Sequence, residues 1–123
     1  MRLIGLDPGL RCTGWGIIET DGNRLSFVGE GIIETNAKLS LSQRLAELYV
    51  GVSKVIEKFN PVQAAVEETF VNKNPASALK LGQARGVVLL APSMAGLVVA
   101  EYSPNMVKKS VVGSGHASKE QVQ

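Results

Sequence analysis

Histidine and cysteine are almost absent from this 123-residue chain, which has one of each, His116 and Cys12. One cysteine closes no intramolecular disulfide, so the fold depends on none, and a reducing compartment, the cytoplasm, is expected. Cys12 itself reads as a small buried or half-buried side chain without chemistry. A lone histidine with no second His, Cys or acid at ligand spacing builds no zinc site. One His and two Asp leave no Ser-His-Asp set to assemble. Long apolar runs are missing too. The longest, Val87 to Ala100, is shorter than the roughly 20 residues of a spanning helix and is interrupted by Pro92-Ser93. The amino terminus reaches Asp7 and Pro8 before a signal-peptide core can form, so a soluble protein is expected. At 13.1 kDa and 45% hydrophobic residues, the chain has the size of one domain with one core, and two are excluded.

Net charge is also small. Thirteen Lys and Arg against eleven Asp and Glu give +2, too little to name a nucleic-acid binder from composition. The distribution says more. The first 61 residues carry seven basic and seven acidic side chains, whereas from Thr69 to Lys119 six basic residues stand against Glu101 alone. A polyanion would meet that half of the chain.

The pattern of apolar residues predicts alternating strands and helices. Leu3-Ile4-Gly5-Leu6 reads as a buried strand that stops at Asp7-Pro8-Gly9, where Pro and Gly suit the middle positions of a type II turn. Thr13 to Glu19 and Arg24 to Thr35 are strand-like, and Asp21-Gly22-Asn23 connects them as a hairpin. From Leu41 the period changes: Leu41, Leu45, Leu48, Val52, Val55, Ile56 and Phe59 fall three or four apart, as on one face of a helix. Ser40 with Gln43 forms a capping-box pattern at its start, and Asn60-Pro61 supplies the stop. Val62 to Val66 is a fourth strand, which a helical crossover makes a candidate for parallel pairing. Asn74-Pro75 then opens a helix running to about Leu90, with Ala78, Gly82 and Gly86 on a ridge where close packing is expected. Leu97 to Tyr102 is a fifth strand, Ser103-Pro104 begins a short helix, and Gly113-Ser114-Gly115 is a break. Ser118 and Gln121 repeat the capping-box spacing just before the sequence ends at Gln123, which fits a helix cut short or a frayed polar tail.

Two acids stand out because each follows an apolar strand. If the first and fourth strands are neighbours, Asp7 and Glu67 project from the same edge, and two such carboxylates repel unless a cation or proton sits between them. A divalent metal site is the economical reading. Asp7 also suits the first position of an Asp-Pro-Gly turn, and Glu67 can simply be solvated at a strand end. The glycines after Asp7 can equally cradle a phosphate or only make the turn. Lys73, Lys80, Arg85, Lys108, Lys109 and Lys119 fall in loops and on helix surfaces, where they form either a solvated face or phosphate contacts. Phe70, in a polar loop, can stack on an unpaired base or cover the core.

Taken together, these residues resemble the RuvC family of Holliday-junction resolvases. Ile4-Gly5-Leu6-Asp7-Pro8-Gly9 with Thr13-Gly14-Trp15-Gly16 resembles its first motif. Ala65-Val66-Glu67-Glu68-Thr69-Phe70, Lys73-Asn74 and the string from Ser77 to Gly86 resemble its second. Val107 to Gly113, followed by Gly115 and Lys119-Glu120-Gln121-Val122, resembles the basic segment before its last helix. The resemblance implies a ribonuclease-H-like α/β fold: a five-stranded mixed sheet, three antiparallel then two parallel strands, flanked by helices. It covers residues 1–123 as a single nuclease domain lacking the last family helix. It also implies a magnesium-dependent endonuclease, two ions per site with manganese able to substitute, that works as a homodimer making paired nicks at four-way junction DNA. A branch-migration motor and junction-binding proteins are its implied partners. By the same resemblance Asp7 and Glu67 match the first two metal-binding carboxylates, Phe70 a base-contacting aromatic, and Lys108 and Lys119 lysines near the scissile phosphate.

The family's two further acids lie past Gln123, and Glu120 matches neither. This 123-residue form is therefore expected to bind metal weakly and to cleave slowly or not at all. Two other readings compete. A junction-binding protein without catalysis would use the same basic face. An actin-like or sugar-kinase-like ATPase would need a second Asp-x-Gly loop, and none follows Gly9.

Overall fold

The computed structural model describes residues 1–68 and 74–102. Five strands and two helices follow in the order β1 (Arg2–Asp7), β2 (Cys12–Asp21), β3 (Arg24–Glu34), α1 (Leu41–Phe59), β4 (Gln63–Glu67), α2 (Pro75–Met94) and β5 (Val98–Tyr102). They form one sheet of order β3-β2-β1-β4-β5. The β1–β2 and β2–β3 pairs are antiparallel, and β1–β4 and β4–β5 are parallel. The mixed sheet expected from the sequence, with three antiparallel strands and two parallel ones, is thus present. No helix among the described residues is long and apolar enough to cross a membrane.

Strand alternation decides where the core lies. Ile4 and Leu6 of β1, Ile17 of β2, and Ala64 and Val66 of β4 are buried and share one face with Leu48, Val52 and Ile56 of α1 and Ala84, Val88 and Ala91 of α2. Trp15 and Phe59 extend this layer, with ring centroids 5.4 Å apart. The alternate residues, Leu3, Gly5 and Asp7 on β1 with Gly14, Gly16 and Ile18 on β2, line an open cleft of about 490 Å³ on the other face. Neither helix covers that face. At the sheet end opposite Asp7, the carboxylate of Glu19 is held below its ordinary range, first by the N-terminal ammonium and then by Arg2.

The helix ends follow local chemistry. The capping box at Ser40 forms as expected: the Ser40 hydroxyl accepts from the Gln43 amide at 3.3 Å, and the Gln43 side chain accepts from the Ser40 amide at 3.1 Å. Asn60 closes α1 in the left-handed region, φ 54°. Asn74 caps α2, its side-chain oxygen accepting from Ala76 and Ser77, with Pro75 at the first helical position.

Four expectations need correction. The helix that begins at Pro75 passes Leu90 and runs through Pro92 to Met94. Pro92 is buried and sits in the last turn, where it removes one hydrogen bond but packs on the core. Gly96, φ 89°, then closes α2: its amide donates to Ser93 O and the Leu97 amide to Pro92 O, the paired bonds of a Schellman end. The turn after Asp7 is not type II, because Gly9 has no positive φ. Glycine is needed there because a Cβ would overlap the Cys12 carbonyl oxygen. Gly82 and Gly86 are exposed, and no described atom comes within 4 Å of a Cβ placed on either, so the ridge on α2 faces outward and the described residues of this chain make no close contact there. Cys12 is exposed, since it opens β2 at the rim of the sheet.

The close glycine contact in the helix layer is Gly51 on α1, where an added Cβ would stand 2.5 Å from Ile33 Cγ2. Alanine gains about 1 kcal/mol of helix propensity over glycine, whereas overpacking costs about 1–3 kcal/mol. Gly51→Ala is therefore expected to lower stability in urea denaturation, and pairing it with Ile33→Ala to relieve the clash; a stabilised Gly51→Ala single variant would contradict this packing.

Candidate active site

The C-terminal ends of β1 and β4 lie side by side. Their parallel register runs from Leu3–Gln63 to Leu6–Val66, so Asp7 and Glu67 are the next residues on adjacent strands, whose axes stand about 4.8 Å apart. Each acid occupies the last position of its strand. Since Leu6 and Val66 are buried in the helix layer, alternation turns Asp7 and Glu67 to the opposite, helix-free face. Asp7 is exposed and Glu67 half-buried. A Cβ placed on Gly14, opposite Asp7 on β2, would lie 3.8 Å from Asp7 Cβ, which puts the Asp7 side chain on the cleft side.

A short turn presents Asp7. Thr13 is fully buried, and its hydroxyl accepts from the Gly9 amide at 3.2 Å and donates to the Gly9 carbonyl at 2.8 Å. Thr35 fastens the same turn from β3's far end, donating through its hydroxyl to Leu10 O at 2.6 Å and through its amide to Arg11 O at 3.1 Å. Arg11 is left exposed in this turn, four residues from Asp7. Its exposure depends on how Thr35 fastens the turn, which no local pattern around the glycines signals.

The basic residues divide. Lys80 is exposed on α2, on the stripe continued by Ala84 and Val88, and its helix starts from the end of the sheet that carries Glu67. Arg85 is less available: its Nη2 donates to Glu101 Oε1, in an ion pair across α2 and β5. Tyr102, next to Glu101, pairs in register with Glu67 and lines the same cleft as Asp7. No sequence pattern marks Tyr102 as part of this edge, because its place beside Glu67 depends on the β4–β5 register. Phe70, Lys73, Lys108, Lys109 and Lys119 lie outside the described residues.

Two carboxylates supply the hard oxygen donors that magnesium takes, and magnesium is commonly held by one or two carboxylates plus water and substrate phosphate. Among the described residues no group of three or more His, Cys, Asp or Glu side chains is placed to hold an ion. The donor set fits a metal that keeps most of its shell for water and phosphate.

A family model described as crossover junction endodeoxyribonuclease RuvC matches residues 3–123. The chain belongs to the RuvC family. A RuvC crossover junction endodeoxyribonuclease from Rhodospirillum rubrum is 63% identical over 122 residues, covering 99% of this chain and 72% of that protein. Among solved structures, Thermus thermophilus RuvC superposes with a TM-score of 0.77 at 32% identity, over 98% of this chain and 75% of that one. T. thermophilus RuvC in complex with a Holliday junction substrate gives 0.77 at 29% identity, over 90% and 69%. RuvC proteins are DNA-cutting enzymes, and this chain is one of them by family and by fold.

The RuvC turn at Asp7 offers a test of its local design. Thr13→Val keeps the side-chain volume and removes both bonds to Gly9, at an expected cost of about 1–3 kcal/mol. Thermal unfolding should show a lowered midpoint for Thr13→Val and a smaller change for Thr13→Ser. An unchanged midpoint for the valine variant would mean that the hydroxyl does not hold the turn.

Proposed function

We propose that this RuvC-family chain resolves four-way DNA junctions by paired, magnesium-dependent phosphodiester hydrolysis, with Asp7 and Glu67 as the carboxylates at the cut. The observation that carries the reading is their common place, at adjacent parallel strand ends and on one face. Bound there, magnesium would draw charge from the scissile phosphate and acidify a water for in-line attack. Asp7, exposed at the lip of the cleft, meets solvent and substrate, while half-buried Glu67 is fixed by its strand. The start of α2 presents its positive helix end toward the same end of the sheet. Lys80 adds a charge that draws phosphate, and Lys73, Lys108, Lys109 and Lys119 contribute likewise, with Phe70 stacking on a base. A DNA substrate together with one exposed cysteine fits the cytoplasm.

The junction itself comes from the family and from the relative solved with a Holliday junction substrate. A nearly twofold junction is matched by a twofold enzyme, and the outward ridge of α2 supports a homodimer. Leu79, Leu90 and Met94 are 64%, 50% and 68% exposed along that helix, and Gly82 and Gly86 would let a second helix approach. Manganese would substitute for magnesium at an oxygen-donor site. We further propose that the 123-residue chain is slow: with two carboxylates, a second ion is left to water and phosphate and is held poorly.

The deciding experiment is a nicking assay on a synthetic four-way junction and a matched linear duplex, with and without Mg2+, using this chain, its Asp7→Asn variant and a form extended past Gln123. Magnesium-dependent nicking of the junction by the extended form, lost on Asp7→Asn, is expected, with the short chain much slower. Junction binding without nicking by either form would favour a non-catalytic binding protein, and cleavage by the short chain at the extended form's rate would show that two carboxylates suffice. For the dimer, sedimentation is expected to show a parent that associates and a Gly86→Arg variant that does not; equal masses for the two would place the contact elsewhere.

A further inference from the structure

We propose that Arg85 and Glu101 form a positioning pair that locks the end of β5 and thereby holds Glu67 in place. This gives Arg85 a role other than the DNA contact that its charge alone suggests, and it rests on the proposed role of Glu67.

The geometry supplies the argument. Among the described residues β5 is the edge strand of the sheet and five residues long, so its last residues have a described ladder partner on one side alone. Glu101 stands in register with Val66 and Tyr102 with Glu67. Just beyond that pair the Glu68 amide donates to the Tyr102 carbonyl at 2.6 Å. Since Val66 is buried beneath the helices, its register neighbour Glu101 turns to the same face, toward α2. There Arg85 reaches it. The two residues are 16 apart in sequence and join a helix to a strand that would otherwise fray at its end.

Arg85 is placed for this task and poorly placed for a mobile phosphate contact. It follows the fully buried Ala84, its side chain is 21% exposed, and its Nε is buried with no partner among the described residues. Its charge is offset by Glu101, which is 46% exposed. Half-exposed ion pairs contribute little to overall stability, so what this pair provides is local geometry at the edge, not global free energy.

The test compares the parent chain with Arg85→Gln, Glu101→Gln, the double variant and the exchanged pair Arg85→Glu with Glu101→Arg. Amide hydrogen exchange at Glu68 reads the lock directly, with α1 amides as the internal reference. Each single substitution is expected to speed Glu68 exchange about threefold to tenfold, the double variant no more than either single, and the exchanged pair to recover most of the loss. The α1 amides and the thermal midpoint should stay near parental values. Mn2+ affinity, read by paramagnetic resonance, should fall in the same order, while junction affinity at fixed salt stays near parental. Unchanged Glu68 exchange in both singles overturns the proposal. So does weaker junction binding on Arg85→Gln with stronger binding on Glu101→Gln, the pattern of a DNA contact released from its acid. The exchange measurement needs no metal. A parent chain that bound no Mn2+ would count against the proposed function, and the Glu68 rates would still decide the pair.

Discussion

The alternation of β1 is the constraint on which everything else depends. It is the central strand, paired antiparallel with β2 and parallel with β4. Ile4 and Leu6 point into the helix layer, and burying side chains of this size stabilises by about 1.5–3 kcal/mol each. Because the period is two, that burial fixes Gly5 and Asp7 on the opposite face. A one-residue slip would bury Asp7 and expose Leu6, so the hydrophobic effect that folds the strand also aims its carboxylate. β4 repeats the device, with Ala64 and Val66 inward and Glu67 outward. Two strands obeying one rule in parallel register bring two acids together with no side-chain contact needed between them.

How much of this was legible depended on whether the signal was local. α1 could be read because its period, its capping box and its Asn60-Pro61 stop lie within one stretch of sequence. The crossover helix made β4 a candidate for parallel pairing, but that its neighbour is β1, and hence that Asp7 and Glu67 share an edge, had to be assumed until the strand order was known. Pro92 misled because proline is read as a breaker, whereas in a last turn it loses one bond and can still be buried. The outward ridge of Gly82 and Gly86 and the inward seat of Arg85 were not legible, since either could have faced the sheet until the rotation of α2 was known. Arg85 with Glu101, and Tyr102 with Glu67, depend on how β5 docks against β4 and α2, and no periodicity encodes that.

The two faces of the sheet do different work. The helix face is a packed layer in which Gly51 and Gly31 admit Ile33 and Trp15 at close range. The other face has a row of small residues, Gly16 beside Gly5 beside Ala65, and beyond it Asp7 at the cleft's lip. Glycine inside strands weakens them and marks places where something must come close. Here it leaves room on the same side as the carboxylates, where a bulkier strand would have filled the approach.

Charge is arranged to match. Glu101 offsets Arg85 on the helix side, so the pair adds little field at the edge. Asp7 and Glu67 stand on the cleft side, at the ends of neighbouring strands in parallel register. Among the described residues the strands at this edge end in acids, while the exposed cations Arg11 and Lys80 lie in a turn and in the first turns of α2. Two carboxylates at one edge offer oxygen donors of the kind that a divalent cation takes. On the proposed function, a backbone of phosphates meets two carboxylates at this edge, and a cation held by them would lower that repulsion before any chemistry begins.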